Sequence, residues 1–210
     1  MKLYVSHKEA LTEVLGPGRR FALWTQGCKR RCPGCIFPEG QPTDKNGIWL
    51  ETDDLAAEII ATPNIAGLTV SGGEPFLQAE ALAHLIKKLK ENTLLDFMMF
   101  SGYTLEELRQ REDLATDYIL GSIDILVDGE YVEEKNDGCL WRGSSNQNIH
   151  FLSPKYRPYR EKIENAKNRN VEFVYRGEYD LFMVGIPAKN FQRDLWKETL
   201  KQTRKEQREE

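Results

Sequence analysis

Apolar and polar positions along the first 130 residues switch between two rhythms. Phe21-Ala22-Leu23-Trp24-Thr25-Gln26 is a run of strand length that passes straight into Gly27-Cys28. From Thr52, which can cap a helix, Leu55, Ala56, Ile59 and Ile60 fall on one helical face, and Pro63 lies just beyond its end. Leu68-Thr69-Val70 reads as the next strand and ends at Ser71-Gly72-Gly73-Glu74-Pro75. Leu82, Leu85, Ile86 and Leu89 then keep the i, i+3, i+4, i+7 spacing of a core-facing helix, followed by a strand from Asp96 to Phe100. Thr104 and Glu107 form a capping-box pattern that opens a third helix, and Ile125-Leu126-Val127 is a fourth strand ending at Asp128-Gly129. Repeated strand–loop–helix units predict a parallel sheet with helical crossovers, hence an α/β fold, either an open sheet or a partial barrel.

Beyond Ile149 the pattern changes. A basic, polar stretch from Lys155 to Asn170 precedes Val171–Tyr175 and Leu181–Val184, which predict a β-hairpin around Arg176-Gly177-Glu178-Tyr179-Asp180. From Phe191 an amphipathic helix through Leu195, Trp196 and Leu200 runs into a charged end. The expected organisation is a core over residues 1–150 and a C-terminal extension over 151–210 packed on it.

Charge narrows the partners. Against 29 lysines and arginines stand 33 acidic residues, so a net charge of -4 gives no electrostatic reason to expect nucleic acid or an anionic membrane. The apolar segment around Leu94 to Phe100 is too short to span a bilayer, and the N-terminal stretch has no sustained apolar run, so the expectation is a cytoplasmic protein.

Of four cysteines, three lie within eight residues as Cys28-x3-Cys32-x2-Cys35, a distribution that suits metal binding in a reducing compartment. Gly27, Pro33 and Gly34 let the backbone curl around a compact centre. Three is the informative number: a structural zinc site takes four closed ligands and an electron-transfer [4Fe-4S] cluster takes four cysteines, so a triad leaves a position for an exogenous ligand. The competing reading is a zinc site completed by Cys139, His7, His84 or His150; Cys139 otherwise reads as a small buried apolar residue.

The cysteine motif after one strand, with Gly72-Gly73-Glu74-Pro75 at the end of the next, resembles the signature of the radical S-adenosylmethionine (SAM) superfamily. Gly16-Pro17-Gly18-Arg19-Arg20-Phe21, Thr25-Gln26-Gly27-Cys28, Cys32-Pro33-Gly34-Cys35, Ser101-Gly102-Tyr103-Thr104, Val127-Asp128-Gly129 and Arg142–Gln147 resemble the glycyl-radical-enzyme activases, within them the anaerobic ribonucleotide reductase activating enzymes. The similarity spans about residues 15 to 150.

This resemblance implies a partial (β/α) barrel and a [4Fe-4S] cluster on Cys28, Cys32 and Cys35 whose open iron binds SAM. Gly72, Gly73, Glu74 and Pro75 would hold the methionine end of SAM, Ser101 and Tyr103 the adenosyl side, and Arg142, Asn146 and Gln147 the far wall. Asp128 would sit close to the reacting centre. The implied function is reductive cleavage of SAM to a 5'-deoxyadenosyl radical that activates a glycyl radical enzyme, with flavodoxin or a similar one-electron reductant. Two features depart from the pattern: Ile36-Phe37-Pro38 follows the third cysteine, where the group has an aromatic residue or histidine and then asparagine, and residues 151–210 exceed the compact form. Lys29, Arg30 and Arg31 read as a solvated loop or as a patch that steers an acidic reductant. A radical SAM enzyme acting directly on a peptide or small molecule, and a non-catalytic metal-binding module, are the alternative functions.

Overall fold

The computed structural model describes residues 1–167, 169–175, 177, 181–191, 194, 195 and 197. Its elements in chain order are β1 (Lys2–Thr12), β2 (Arg20–Thr25), β3 (Ile48–Glu51), α1 (Thr52–Ala61), β4 (Gly67–Gly72), α2 (Ala79–Asn92), β5 (Asp96–Ser101), α3 (Leu105–Arg109), α4 (Leu114–Ser122), β6 (Ile125–Asp128), β7 (Asn148–Phe151), α5 (Arg160–Glu164), β8 (Val171–Tyr175) and β9 (Leu181–Gly185). Seven strands form one sheet in the order β3-β1-β2-β4-β5-β6-β7. Its centre, β2-β4-β5-β6, is parallel, as the strand–helix alternation requires, and β1, β3 and β7 add antiparallel edges. The fold is α/β with a mostly parallel central sheet.

The alternation of side chains along each strand explains the two layers. Phe21, Leu23, Leu68, Val70, Phe97 and Met99 face α1 and α2, where Leu55, Ile59, Leu82, Leu85, Ile86 and Leu89 complete the main core. Their neighbours point the other way. Met98, Ile125 and Val127 pack with Ile149, Phe151 and Ile163 of α5, while Ala22 and Trp24 pack with Val184 and Ile186 from β9 and the segment after it. Residues beyond 150 therefore bury one face of the sheet.

Several expectations shift. The N-terminal stretch, which carries too many charges to signal a strand, forms β1, the longest of the sheet, because only Leu3, Tyr4, Val5 and Thr12 need be buried in a strand near the edge. Thr52 is the first helical residue of α1 and not its cap; its hydroxyl lies 2.8 Å from His84 Nδ1. Ile60 is 44% exposed, off the buried face that Leu55, Ala56 and Ile59 share. Thr104 and Glu107 do make the capping box, but α3 lasts five residues and a second helix, α4, starts from an Asp113 cap. β8 and β9 pair antiparallel, as the hairpin predicts. Within its loop Arg176, Glu178, Tyr179 and Asp180 lie outside the described residues, as do Trp196 and Leu200 of the expected terminal helix.

An ion pair clamps the N-terminal ends of the parallel strands. Arg20 on β2 reaches across Gly67 on β4 to Asp96 on β5, with Nη1 donating to Asp96 Oδ1 at 2.5 Å, Nε to Thr69 Oγ1 at 2.6 Å and Nη2 to the Leu68 carbonyl at 2.9 Å. A Cβ on Gly67 would lie 2.5 Å from Asp96 Oδ1 and 2.6 Å from Arg20 Nη2, so only glycine lets the pair pass. Tyr156 and Lys155 donate to the other Asp96 oxygen at 2.6 and 2.9 Å. Burial alone would raise the Asp96 carboxyl, but Arg20, Lys155 and Tyr156 outweigh it and hold it below the ordinary carboxylate range. Its stabilising contribution is therefore present above the unfolded value of about 4 and is lost as pH falls through the lower native value. Asp96→Asn strands a buried guanidinium, and urea denaturation at pH 7 should show a loss of about 3–5 kcal/mol, with a shallower acid limb than the parent below about pH 4.

Candidate functional site

The C-terminal ends of β2, β4, β5 and β6 open into one cleft, the position where a parallel α/β sheet leaves room for a ligand. Cys28, Cys32 and Cys35 line it from the loop after β2, Gly72 to Pro75 from the end of β4, Ser101 and Gly102 from β5, and Gly129 and Gln147 from the segment after β6. Phe182, Met183, Gly185 and Ile186 close one side.

The two motifs are joined by backbone. Gly73 N donates to the Thr25 carbonyl and Glu74 N to the Gly27 carbonyl, each at 2.8 Å, while Gly27 N donates to Gly40 O at 2.8 Å and Cys28 N to Gln41 O at 2.9 Å. A Cβ on Gly73 would lie 2.2 Å from Gly27 O and 2.6 Å from Gly40 O. The second glycine is thus what allows the cysteine loop to lie against the end of β4.

Glu74 is wholly buried. Its Oε1 accepts from Phe76 N and Ser101 Oγ, both at 3.0 Å, and its Oε2 from Gly102 N at 2.8 Å. The carboxylate thereby ties the end of β4 to that of β5. Burial pushes its pKa up against those hydrogen bonds.

The three thiols are half-buried and free of disulfides, and burial raises the pKa of Cys28 and Cys32. A metal centre held there would bind them as thiolates. Among the described residues no three His, Cys, Asp or Glu side chains are gathered closely enough for a single ion. A cubane cluster binds each thiolate at a different iron and spans a wider triangle, so the donor set of three cysteines around one cleft fits it. The candidate fourth ligands for zinc are engaged elsewhere: Cys139 Sγ donates to Asp137 at 3.0 Å, His7 stacks on Phe182, His84 meets Thr52, and His150 meets Asp128.

Other residues singled out from sequence divide. Ser101 and Gln147 line the cleft; Tyr103, Asp128, Arg142 and Asn146 are not among its lining residues. Gln147 braces the wall, accepting from Gly143 N and donating to Gly129 O. Asp128 stands at the end of β6, but its carboxylate accepts from Leu105 N and Asn148 Nδ2 and lies 2.8 Å from His150 Nε2; burial would raise its pKa, and these partners lower it. Arg142 pairs with Asp137, whose carboxyl is lowered to about 2 by Cys139 and Arg142 against its burial. Asn146 donates to Glu130 O.

Arg30 within the cysteine loop is not solvated like Lys29 and Arg31. It pairs with Glu107 and Glu130 and stacks 4.2 Å from the Tyr103 ring, whose surroundings also include Arg111 at 3.9 Å. No local sequence signal marks this clamp, because its partners stand about 75 to 100 residues away.

A family model described as a 4Fe-4S single cluster domain matches residues 14–150. The anaerobic ribonucleoside-triphosphate reductase-activating protein of Vibrio cholerae is 35% identical over 146 residues, which cover 65% of this chain and 90% of the relative. The proteins of the same name from Escherichia coli, 33% identical over 149 residues (66% and 92%), and Pasteurella multocida, 37% over 148 residues (65% and 90%), are similar to the same extent.

Gly73→Ala is expected to push the cysteine loop off β4 at a cost of about 1–3 kcal/mol and to lower iron uptake on anaerobic reconstitution, measured as iron per chain. Gly121→Ala is the control, since an added Cβ there meets nothing within 4 Å in α4; it should load iron like the parent and gain about 0.5–1 kcal/mol.

Proposed function

The chain belongs to the 4Fe-4S single cluster domain family and with the anaerobic ribonucleoside-triphosphate reductase-activating proteins, and on that premise we propose that it is a radical SAM activating enzyme for a glycyl radical enzyme such as anaerobic ribonucleoside-triphosphate reductase. The observation that carries this reading is the joining of the three-cysteine loop to Gly73-Glu74 over one cleft at the strand ends. The sheet then corresponds to the partial (β/α) barrel of the radical SAM type, residues 1–150 to its core, and a cytoplasmic location with flavodoxin or a similar reductant completes the reading.

In this mechanism Cys28, Cys32 and Cys35 would hold the cluster, and the count of three cysteines would leave one iron open to SAM. When bound, the cluster supplies one electron to the sulfonium of SAM, which cleaves to methionine and a 5'-deoxyadenosyl radical. The chain's own residues position the reactants. Gly72 and Gly73 line the cleft while packing their backbone directly against β2 and the cluster loop, so a methionine moiety there would lie beside the loop's first cysteine. Glu74 acts inward, fixing Ser101 and Gly102 along the adenosyl side. Gln147 keeps Gly129 and Gly143 in place as the far wall, and Asp128 anchors the start of α3 through Leu105 N, so its part is to position and not to transfer a proton. Leu15, Trp24, Ile36, Phe37 and Phe100 give the cleft an apolar side, alongside the polar Arg30, Ser71 and Tyr131, and that side would limit water along the radical's path. The 5'-deoxyadenosyl radical would take a hydrogen atom from a glycine Cα of the partner, leaving the glycyl radical there and giving 5'-deoxyadenosine.

β9 on the cleft wall favours a second reading, in which the enzyme acts on a smaller peptide or molecule directly. Both readings predict about four irons per chain and SAM turnover to 5'-deoxyadenosine with dithionite. Only the first predicts a glycyl electron paramagnetic resonance (EPR) signal in the reductase after mixing. Cys28→Ala, Cys32→Ala or Cys35→Ala should each abolish cluster and turnover, whereas Cys139→Ala should retain both. A chain that takes up no iron and cleaves no SAM would sink the enzyme reading.

A further inference from the structure

We infer that the C-terminal β8–β9 hairpin is a clamp on the cysteine loop, with Phe182 a positioning residue that holds Cys35 through Phe37. The inference rests on the cluster reading above but concerns residues beyond the family match, which stops at residue 150. Phe182 sits among aromatic rings from three separate parts of the chain. Its ring centroid lies 3.5 Å from His7 on β1, stacked, 5.4 Å from Trp24 on β2, edge-on, and 6.4 Å from Phe37, edge-on. Phe37 follows Cys35 by two residues, and it joins Ile36 in the apolar cluster of Trp24, Val184 and Ile186.

The hairpin itself is fixed from both sides. Glu172 on β8 accepts from Thr12 Oγ1 at 2.6 Å and Glu13 N at 3.0 Å, which anchors it to the end of β1. Val184 is fully buried against the sheet. By contrast, the cysteine loop has few backbone bonds of its own: among the described residues the turn from Cys35 N to Cys32 O, at 3.2 Å, is the one backbone bond made within Cys28–Phe37, and Phe37 O accepts from Gly40 N at 3.2 Å. The Cys28 end is held by Gln41 O and the Gly27 stitch, and Arg30 is held by Glu107 and Glu130. Beyond its turn with Cys32, the third cysteine is left to apolar packing, in which Ile36 and Phe37 share a cluster with Trp24 of β2 and with Phe182, Val184 and Ile186 of β9 and the segment after it. Such a loop opens locally at a rate set by how much apolar surface it must expose, so trimming Phe182 exposes the cluster without unfolding the sheet.

The test uses full-length chain, reconstituted anaerobically, and follows removal of iron by a ferrous chelator together with the EPR spectrum of the reduced cluster. Phe182→Ala and Phe37→Ala should each release iron about tenfold faster and broaden or shift the EPR signal, with little change in the urea midpoint. The double variant should be no faster than the faster single one, because both remove the same contact, and Phe182→Leu should restore most of the protection. Phe173→Ala, on a half-exposed ring of β8 stacked with Phe191, should behave like the parent. If Phe182→Ala fails to fold, Phe37→Ala and Phe182→Leu are compared in the same assay. Parent-like chelation and EPR in the Phe37 and Phe182 variants, or effects that multiply in the double variant, would overturn the clamp while leaving the cluster assignment intact. Failure of the parent chain to take up iron would overturn the cluster reading, and the clamp with it.

Discussion

The backbone of Gly73 lies so close to the Gly27 and Gly40 carbonyls that no side chain fits between them. The start of the cysteine loop and the end of β4 are positioned by that contact. Because Gly73 N and Glu74 N donate into the end of β2 and the start of the cysteine loop, the hydrogen-bond ladder between β2 and β4 continues past the last paired residues and into the cleft. The loop's first cysteine then inherits the rigidity of the sheet. Glu74 carries the same restraint one strand further, since both its oxygens are used on the far side of the motif, at Phe76, Ser101 and Gly102. A carboxylate buried this way is costly unless its acceptors are filled, and here three donors fill them.

This arrangement changes how the glycine-rich motif is understood chemically. By resemblance, Glu74 belongs to the motif that would hold the methionine end of SAM. In the fold it is a structural acceptor, and the groups left facing the cleft from Gly72-Gly73 are those of the backbone. Glu74 therefore serves to hold the backbone of β5's end, at Ser101 and Gly102, against the motif. Ser101 belongs to the same relay, donating to Glu74 while accepting from Tyr103 N at 3.0 Å.

Much of this was legible in the sequence because it is local. The cysteine spacing, the glycine motif and the strands that deliver them each occupy fewer than ten consecutive residues, and the capping box at Thr104 and Glu107 needs only four. What sequence reasoning missed depends on distant partners. Arg30 looks solvated until Glu107 and Glu130 are brought to it. Cys139 looks like a small apolar residue, and it is buried, but its thiol lies in a polar cluster with Asp137 and Arg142. β1 is hidden because a strand flanked by an edge strand can keep Lys8 and Glu9 only partly covered. Ile36-Phe37 departs from the aromatic residue or histidine and then asparagine expected after the third cysteine, and part of the apolar cluster it joins stands some 145 residues away, on β9.

Arg20 shows why nearness in sequence is a poor guide to role. The stretch from Gly16 to Phe21 lies just before the cysteine loop, which invites a reading as part of the site. β2 separates them: Arg20 opens that strand and Thr25 closes it, so the guanidinium and the cysteines stand at opposite ends of the sheet. At its end Arg20 crosses over Gly67 to Asp96, just as at the other end the loop crosses Gly73. Both crossings need glycine in β4 or directly after it, and both fix β2 against its parallel neighbours. A shift of β4 by one residue along β2 would break the ion pair at one end and the cysteine-loop stitch at the other, which makes the register of the central strands the common requirement of stability and of the site.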